Sequence, residues 1–135
     1  MKNISMKRKI AAAAFGAAGI IGLSAGAASA SSGVATSPNS SMSANYHSVW
    51  DSLDWSLTHA KNDGYCARGY YATYDNLTGW SGWHYLNQAC NNSTTPVYNK
   101  SFSVANGGLQ GFRVKVCTAH SDASSMTCGT AKVLN

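Results

Sequence analysis

The chain has 135 residues, only 11% of them charged, with a formal charge of +5 and four cysteines. Lys2, Lys7, Arg8 and Lys9 supply four of the ten basic residues, so the excess charge belongs to the N-terminus. Beyond Ala30, six scattered basic residues face five aspartates and no glutamate. This excludes the clustered Lys/Arg footprint that nucleic acid requires and any glutamate-based acid–base pair.

The first segment reads as an export signal. The basic stretch precedes Ile10–Leu23, an unbroken run of Ala, Gly, Ile, Leu and Phe. Ala28-Ser29-Ala30 then offers a small-x-small cleavage site. Cleavage is expected after Ala30, with Ala25-Gly26-Ala27 second. The 14-residue run is shorter than the roughly 20 residues that span a bilayer. No later segment is apolar enough to span, so 1–30 is assigned as a signal peptide, with a secreted product and no membrane contact after cleavage. Residues 31–44 (SSGVATSPNSSMSA) have little to bury and are expected to form a disordered spacer. The folded domain is then 45–135, small enough to need covalent support.

That domain reads as all-β, a small antiparallel β-sandwich of six or seven strands. Leu53, Trp55, Leu57 and His59 alternate with polar residues, the period of a half-buried strand. Tyr46, Val49, Trp50, Leu53 and Leu57 also fit a helical spacing, so a short helix over 45–53 is an alternative. Asp63-Gly64 predicts a hairpin returning as 65–74 (YCARGYYATY). A third strand is expected over 82–88, with Trp83 and Tyr85 on one face. Short strand 101–105 turns at Asn106-Gly107-Gly108. In 109–119, Phe112, Val114 and Val116 alternate with Arg113, Lys115 and Cys117. A last strand covers 127–134.

Cys66, Cys90, Cys117 and Cys128 form an even set behind an export signal, which reads as a two-disulfide framework. Of the three possible pairings, Cys117–Cys128 with Cys66–Cys90 is favoured, because the first closes a hairpin at low loop cost. Cys66–Cys128 with Cys90–Cys117 is the next choice.

Chemistry-bearing patterns are sparse. Asp51 and Asp54 are a candidate carboxylate pair but read as solvated. Serines, histidines and aspartates are present without a G-x-S-x-G elbow, and no catalytic residue is assigned. His47, His59, His84 and His120 lack metal-ligand spacing, and no C-x-x-C occurs, so neither metal nor cofactor is expected. Asn76, Asn91, Asn92 and Asn99 head N-x-S/T sequons, read as polar surface loops. The strongest lead is Gly79-Trp80-Ser81-Gly82-Trp83-His84-Tyr85. Exposed Trp and Tyr combine a large apolar area with a polar tip, which suits sugar rings and protein interfaces. Trp80, Trp83 and Tyr85 are assigned as ligand contacts and His84 as a polar reader. The partner is an extracellular glycan or a secreted protein, and the domain is expected to be a non-catalytic monomer.

Two resemblances accompany this reading. Asp63-Gly64-Tyr65-Cys66, Val114-Lys115-Val116-Cys117 and Cys128-Gly129 resemble the layout of small secreted actinobacterial proteins, which implies a β-sandwich and no particular activity. Trp83-His84-Tyr85 ahead of Cys90 is similar to the W-R-Y triplet of the tendamistat-type amylase inhibitors. That resemblance implies inhibition of a secreted hydrolase through Trp83 and Tyr85, with His84 standing where those inhibitors have arginine.

Overall fold

The computed structural model describes residues 30–103 and 109–135. The expected signal peptide therefore lies outside the described residues, apart from Ala30. So does the Asn106-Gly107-Gly108 turn.

Eleven strands and no helix form the described chain. They are β1 (Ala30–Ser37), β2 (Ser40–His47), β3 (Ser52–His59), β4 (Tyr65–Asp75), β5 (Gly79–Trp80) and β6 (His84–Cys90). β7 (Ser93–Thr94), β8 (Tyr98–Ser101), β9 (Gly111–His120), β10 (Met126–Cys128) and β11 (Lys132–Leu134) follow. One antiparallel sheet runs β1-β2-β3, with β7 and β8 both on the far side of β3. The other is centred on the β4–β9 pair, with β5 and β6 flanking β4, and β10 and β11 flanking β9.

The segment 31–44, expected to be a disordered spacer, instead forms β1 and most of β2, so the fold begins well before residue 45. Its residues are small because the space they fill is narrow. Ala35, Met42, Ala44 and Tyr46 point inward and are at most 3% exposed. Pro38-Asn39 turns the hairpin, with Asn39 at φ 55°, and Pro before a left-handed Asn suits a tight turn. Gly129 permits the chain after β10 to approach β1, since a Cβ there would lie 1.7 Å from the Thr36 carbonyl oxygen.

Residues 45–53 are strand, turn and strand rather than a helix. The helical spacing arises because Tyr46 and Leu53 are cross-strand partners in β2 and β3, while Val49 and Trp50 are exposed in the turn between them. The alternation in β3 is as predicted: Leu53, Trp55, Leu57 and His59 are buried. Asp63-Gly64 does not close a hairpin. Gly64 takes φ 78°, and the chain crosses there from the first sheet to the second, where β4 pairs with β9 and β6. The strand expected at 101–105 lies at Tyr98–Ser101, and the expected last strand is split into β10 and β11, both paired to β9.

The core lies between the sheets. Met42, Tyr46, Leu53 and Leu57 of the first meet Tyr71, Phe112, Val114 and Val116 of the second. Each such side chain, removed from water, contributes about 1.5–3 kcal/mol. Gly69 lets β4 approach closely, because a Cβ would lie 3.0 Å from Leu57. A polar chain, buried at Ser40 and His59, also joins the sheets: Thr118 of β9 bonds Ser40 (2.9 Å), Ser40 bonds Nδ1 of His59 (2.9 Å), and Nε2 of His59 bonds the exposed Asp63 (2.8 Å).

Both favoured disulfides are present, Cys66–Cys90 and Cys117–Cys128. Each links directly paired residues of adjacent strands, β4 with β6 and β9 with β10. They staple the second sheet within itself rather than tying the two sheets together.

Candidate functional site

Strand alternation decides which side chains the second sheet presents outward. On β4, Ala67, Gly69 and Tyr71 are buried, leaving Arg68, Tyr70 and Tyr74 on the opposite face. On β9, Phe112, Val114 and Val116 are buried, leaving Arg113 and Lys115 outward. The β4–β9 register sets Tyr70 opposite Lys115 and Ala72 opposite Arg113. β5 adds Trp80 beside Tyr74, and β6 adds Tyr85 opposite Tyr70.

A bulge in β6 preserves this arrangement. Its pairing shifts between Arg68↔Gln88 and Tyr70↔Tyr85, so an extra residue sits in the Leu86-Asn87 step. Leu86 packs on the core and Asn87 accepts a hydrogen bond from Nε1 of Trp55 at 2.8 Å. Both therefore face inward, and Tyr85 remains outward.

Rings and cations interleave on this face. The Arg113 guanidinium lies 4.6 Å from the centre of the Trp80 ring and 4.8 Å from that of Trp83. Nζ of Lys115 is 4.3 Å from Trp83 and 5.5 Å from Tyr70. Arg68 is 4.7 Å from Tyr85, which in turn packs on Tyr70 at 5.7 Å. Tyr74 packs on Trp80 at 5.2 Å. Each contact is within cation–π or ring-pair range. Trp80 and Tyr85 remain 37% and 47% exposed, and Trp83 is half-buried. A shallow depression of about 380 Å³, lined by Tyr74, Trp80, Gly111, Val133 and Asn135, adjoins the Trp80 end.

The electrostatics of this face are one-sided. The ion pairs among the described residues all join a histidine to an aspartate: His47–Asp54, His59–Asp63 and His120–Asp122. None engages Arg68, Arg113 or Lys115. The Nε atoms of Arg68 and Arg113 are buried and have no hydrogen-bond partner among the described residues.

Of the four predicted contacts, Trp80, Trp83 and Tyr85 come together here and His84 does not. His84, which is exposed, alternates to the other side of β6 and stacks on the buried Tyr71 ring at 5.1 Å. Arg68, Arg113 and Lys115 take the polar positions instead. Residue-by-residue alternation identifies them as outward, but their convergence depends on β4 pairing with β9, which no turn motif specifies.

The remaining candidates are structural in their surroundings. Asp51 accepts hydrogen bonds from the Tyr46 hydroxyl and the Leu109 backbone N–H. Burial, with Asp51 beside it, pushes the Tyr46 phenol up to about 12. Asp54 on the first sheet bonds Asn99 and His47, and these bonds, Asn99 foremost, hold its carboxyl below the usual range. The Ser40–His59–Asp63 series has the composition of a hydrolytic triad, but Ser40 is 5% and His59 0% exposed, and Ser40 meets Nδ1 while Asp63 takes Nε2. Among the described residues no three His, Cys, Asp or Glu side chains group as a metal site, and no helix is long and apolar enough to cross a membrane.

Fold and site together define a small disulfide-stapled β-sandwich with an aromatic, cationic face. Comparisons with protein-family models, curated proteins and solved structures find no match to this chain.

Proposed function

We propose that this chain is an exported, non-catalytic binding domain that recognises an extracellular glycan or a secreted protein through the outer face of its second sheet. The observation that carries this reading is the gathering of Trp80, Trp83, Tyr85, Tyr70 and Tyr74 with three cations that no carboxylate among the described residues pairs with. Two disulfides in a small β-fold fit an extracellular setting, and the basic, Ala-rich N-terminus supports export. An aromatic cluster on a stapled sheet is a rigid surface, and contacts of this kind concentrate binding energy.

The test is retention of the oxidised protein on insoluble cell-wall material, with Trp83→Ala as the variant. Retention falling by about tenfold or more, with the fold intact by circular dichroism, is the expected result. Unchanged retention by a folded Trp83→Ala protein removes this face from the reading. A second reading rests on Trp83 and Tyr85 sharing one outward face: they are the two residues in common with the amylase-inhibitor triplet. Stoichiometric inhibition of an amylase, abolished by reducing agent, would identify the domain as an inhibitor.

A further inference from the structure

We infer that the ligand of this face is an acidic polysaccharide of the polyuronate class, carrying a carboxylate on its sugar rings. This inference rests on the aromatic-surface reading above and specifies its ligand.

Neutral sugars bind aromatic surfaces by stacking on ring faces. Here part of that area is already occupied. Arg113 lies over both Trp80 and Trp83, Lys115 lies over Trp83, and Arg68 lies over Tyr85. What remains exposed is part of Trp80 and Tyr85, beside half-buried cations that make no ion pair among the described residues. A ring's edge is the positive part of its quadrupole, so edges and cations favour the same sign of ligand charge.

The cations also have an order. Arg113 and Lys115 are two residues apart on β9, about 7 Å along the strand. Arg68 stands opposite Cys117 on β4, a further two residues along and one strand across. The three therefore form a bent row, along β9 and then across to β4. A flexible linear polymer repeating both an apolar ring and an anion can follow such a row. A neutral glycan leaves the cations unpaired, and a bare polyphosphate leaves the rings uncovered. A single-stranded nucleic acid also repeats rings and anions, but its bases need free aromatic faces to stack on, and cations hold those of Trp83. The guanidinium fork suits a carboxylate in two-point contact.

The test compares retention of the oxidised protein on immobilised polygalacturonate and on the same polymer fully methyl-esterified, which keeps the rings and removes the charge. The acid form is expected to retain the protein about tenfold or more strongly, and added salt should release it. Arg113→Gln with Lys115→Gln should reduce retention on the acid form to the level of the ester, whereas Arg113→Lys, which keeps the charge but not the two-point contact, should fall between the two levels. Melting temperatures of all variants separate lost binding from lost folding. Equal retention on the two polymers overturns the acidic-ligand inference and leaves the aromatic reading standing. Retention on neither polymer, or on a single-stranded oligonucleotide in preference to polygalacturonate, also overturns it. In those cases the cell-wall assay with Trp83→Ala still decides the aromatic reading independently.

Discussion

The two outer faces of this sandwich share one backbone architecture and almost nothing else. The outward residues of β1, β2 and β3 are small or polar: Val34 beside Ser43 beside Ser56, and Thr36 beside Ser41 beside Thr58. No Trp, Tyr or Phe is among them. The outward residues of β4, β5, β6 and β9 are rings and cations. The disulfides follow the same division, since both lie within the second sheet. A sheet that only covers a core needs neither bulky outward side chains nor covalent reinforcement. One that must hold a set of rings in fixed relation gains from both.

The largest test of this asymmetry is removal of a staple. Replacing Cys66 and Cys90 by Ala should cost about 3 kcal/mol by the chain-entropy argument, measured by denaturant unfolding. It should also loosen the segment carrying Trp80 and Trp83, which lies inside the closed loop, so retention on polygalacturonate should fall even where the protein is fully folded. Loss of stability with unchanged retention would separate the disulfide from the site.

Next in size is the interleaved face itself. Arg113→Ala removes a cation between two indoles and exposes the rings it covered. A loss of about 1–2 kcal/mol is expected from contacts of this kind when partly desolvated. The buried Nε of Arg113, which has no partner among the described residues, works against this loss, because its desolvation is unrewarded. A stabilised Arg113→Met variant would mean that the arginine is kept for binding at the expense of folding. Unfolding curves of the two variants decide between these outcomes.

The sequence foretold the inward and outward assignment within single strands far better than the relations between strands. Phe112, Val114 and Val116 announce a buried side by their period, and so do Leu53, Trp55 and Leu57. The Cys117–Cys128 staple follows from a short loop. What period and spacing do not encode is which distant strand comes alongside. Tyr70 and Lys115 meet through β4–β9 pairing, so three basic residues that are scattered in sequence converge. The β1–β2 hairpin was illegible for a different reason. Ala35, Met42 and Ala44 fill a narrow part of the core, and so few apolar residues, set among serines, carry too weak a hydrophobic signal to read as strands. Asp63-Gly64 misleads because a left-handed glycine serves a crossover as well as a hairpin.

Acid should distinguish the two faces with a smaller effect. Asp54 lies on the first face, and Asp63 ends the polar chain between the sheets. The Asn99 and His47 bonds hold the Asp54 carboxyl low, and the His59 bond chiefly holds Asp63 low. On the second sheet the depressed carboxyls are confined to the turns at Asp75 and Asp122, the latter lowered to about 2 chiefly by Ser124. A carboxyl whose pKa is depressed by folding contributes stability above its unfolded value, near 4. That contribution is lost as pH falls through the folded value. Melting temperature should therefore hold steady down to about pH 4 and decline below it. In Asp63→Asn the decline should be shallower.

The smallest expected effect is the most direct comparison. Ser43→Ala places a methyl group on the open first face, where Ser43 is exposed and faces Val34 and Ser56 across the strands. Stability should change by less than about 0.5 kcal/mol, and retention on polygalacturonate should not change at all. Thr58→Ala should cost slightly more, because the Thr58 hydroxyl bonds that of Thr94 at 2.9 Å and cross-strand pairs of this kind contribute about 0.2–1 kcal/mol. If either substitution weakened binding as Trp83→Ala should, the ligand would have to reach both faces, and the division of labour between the two sheets would fail. Silence on the first face beside a response on the second is the outcome that the asymmetry requires.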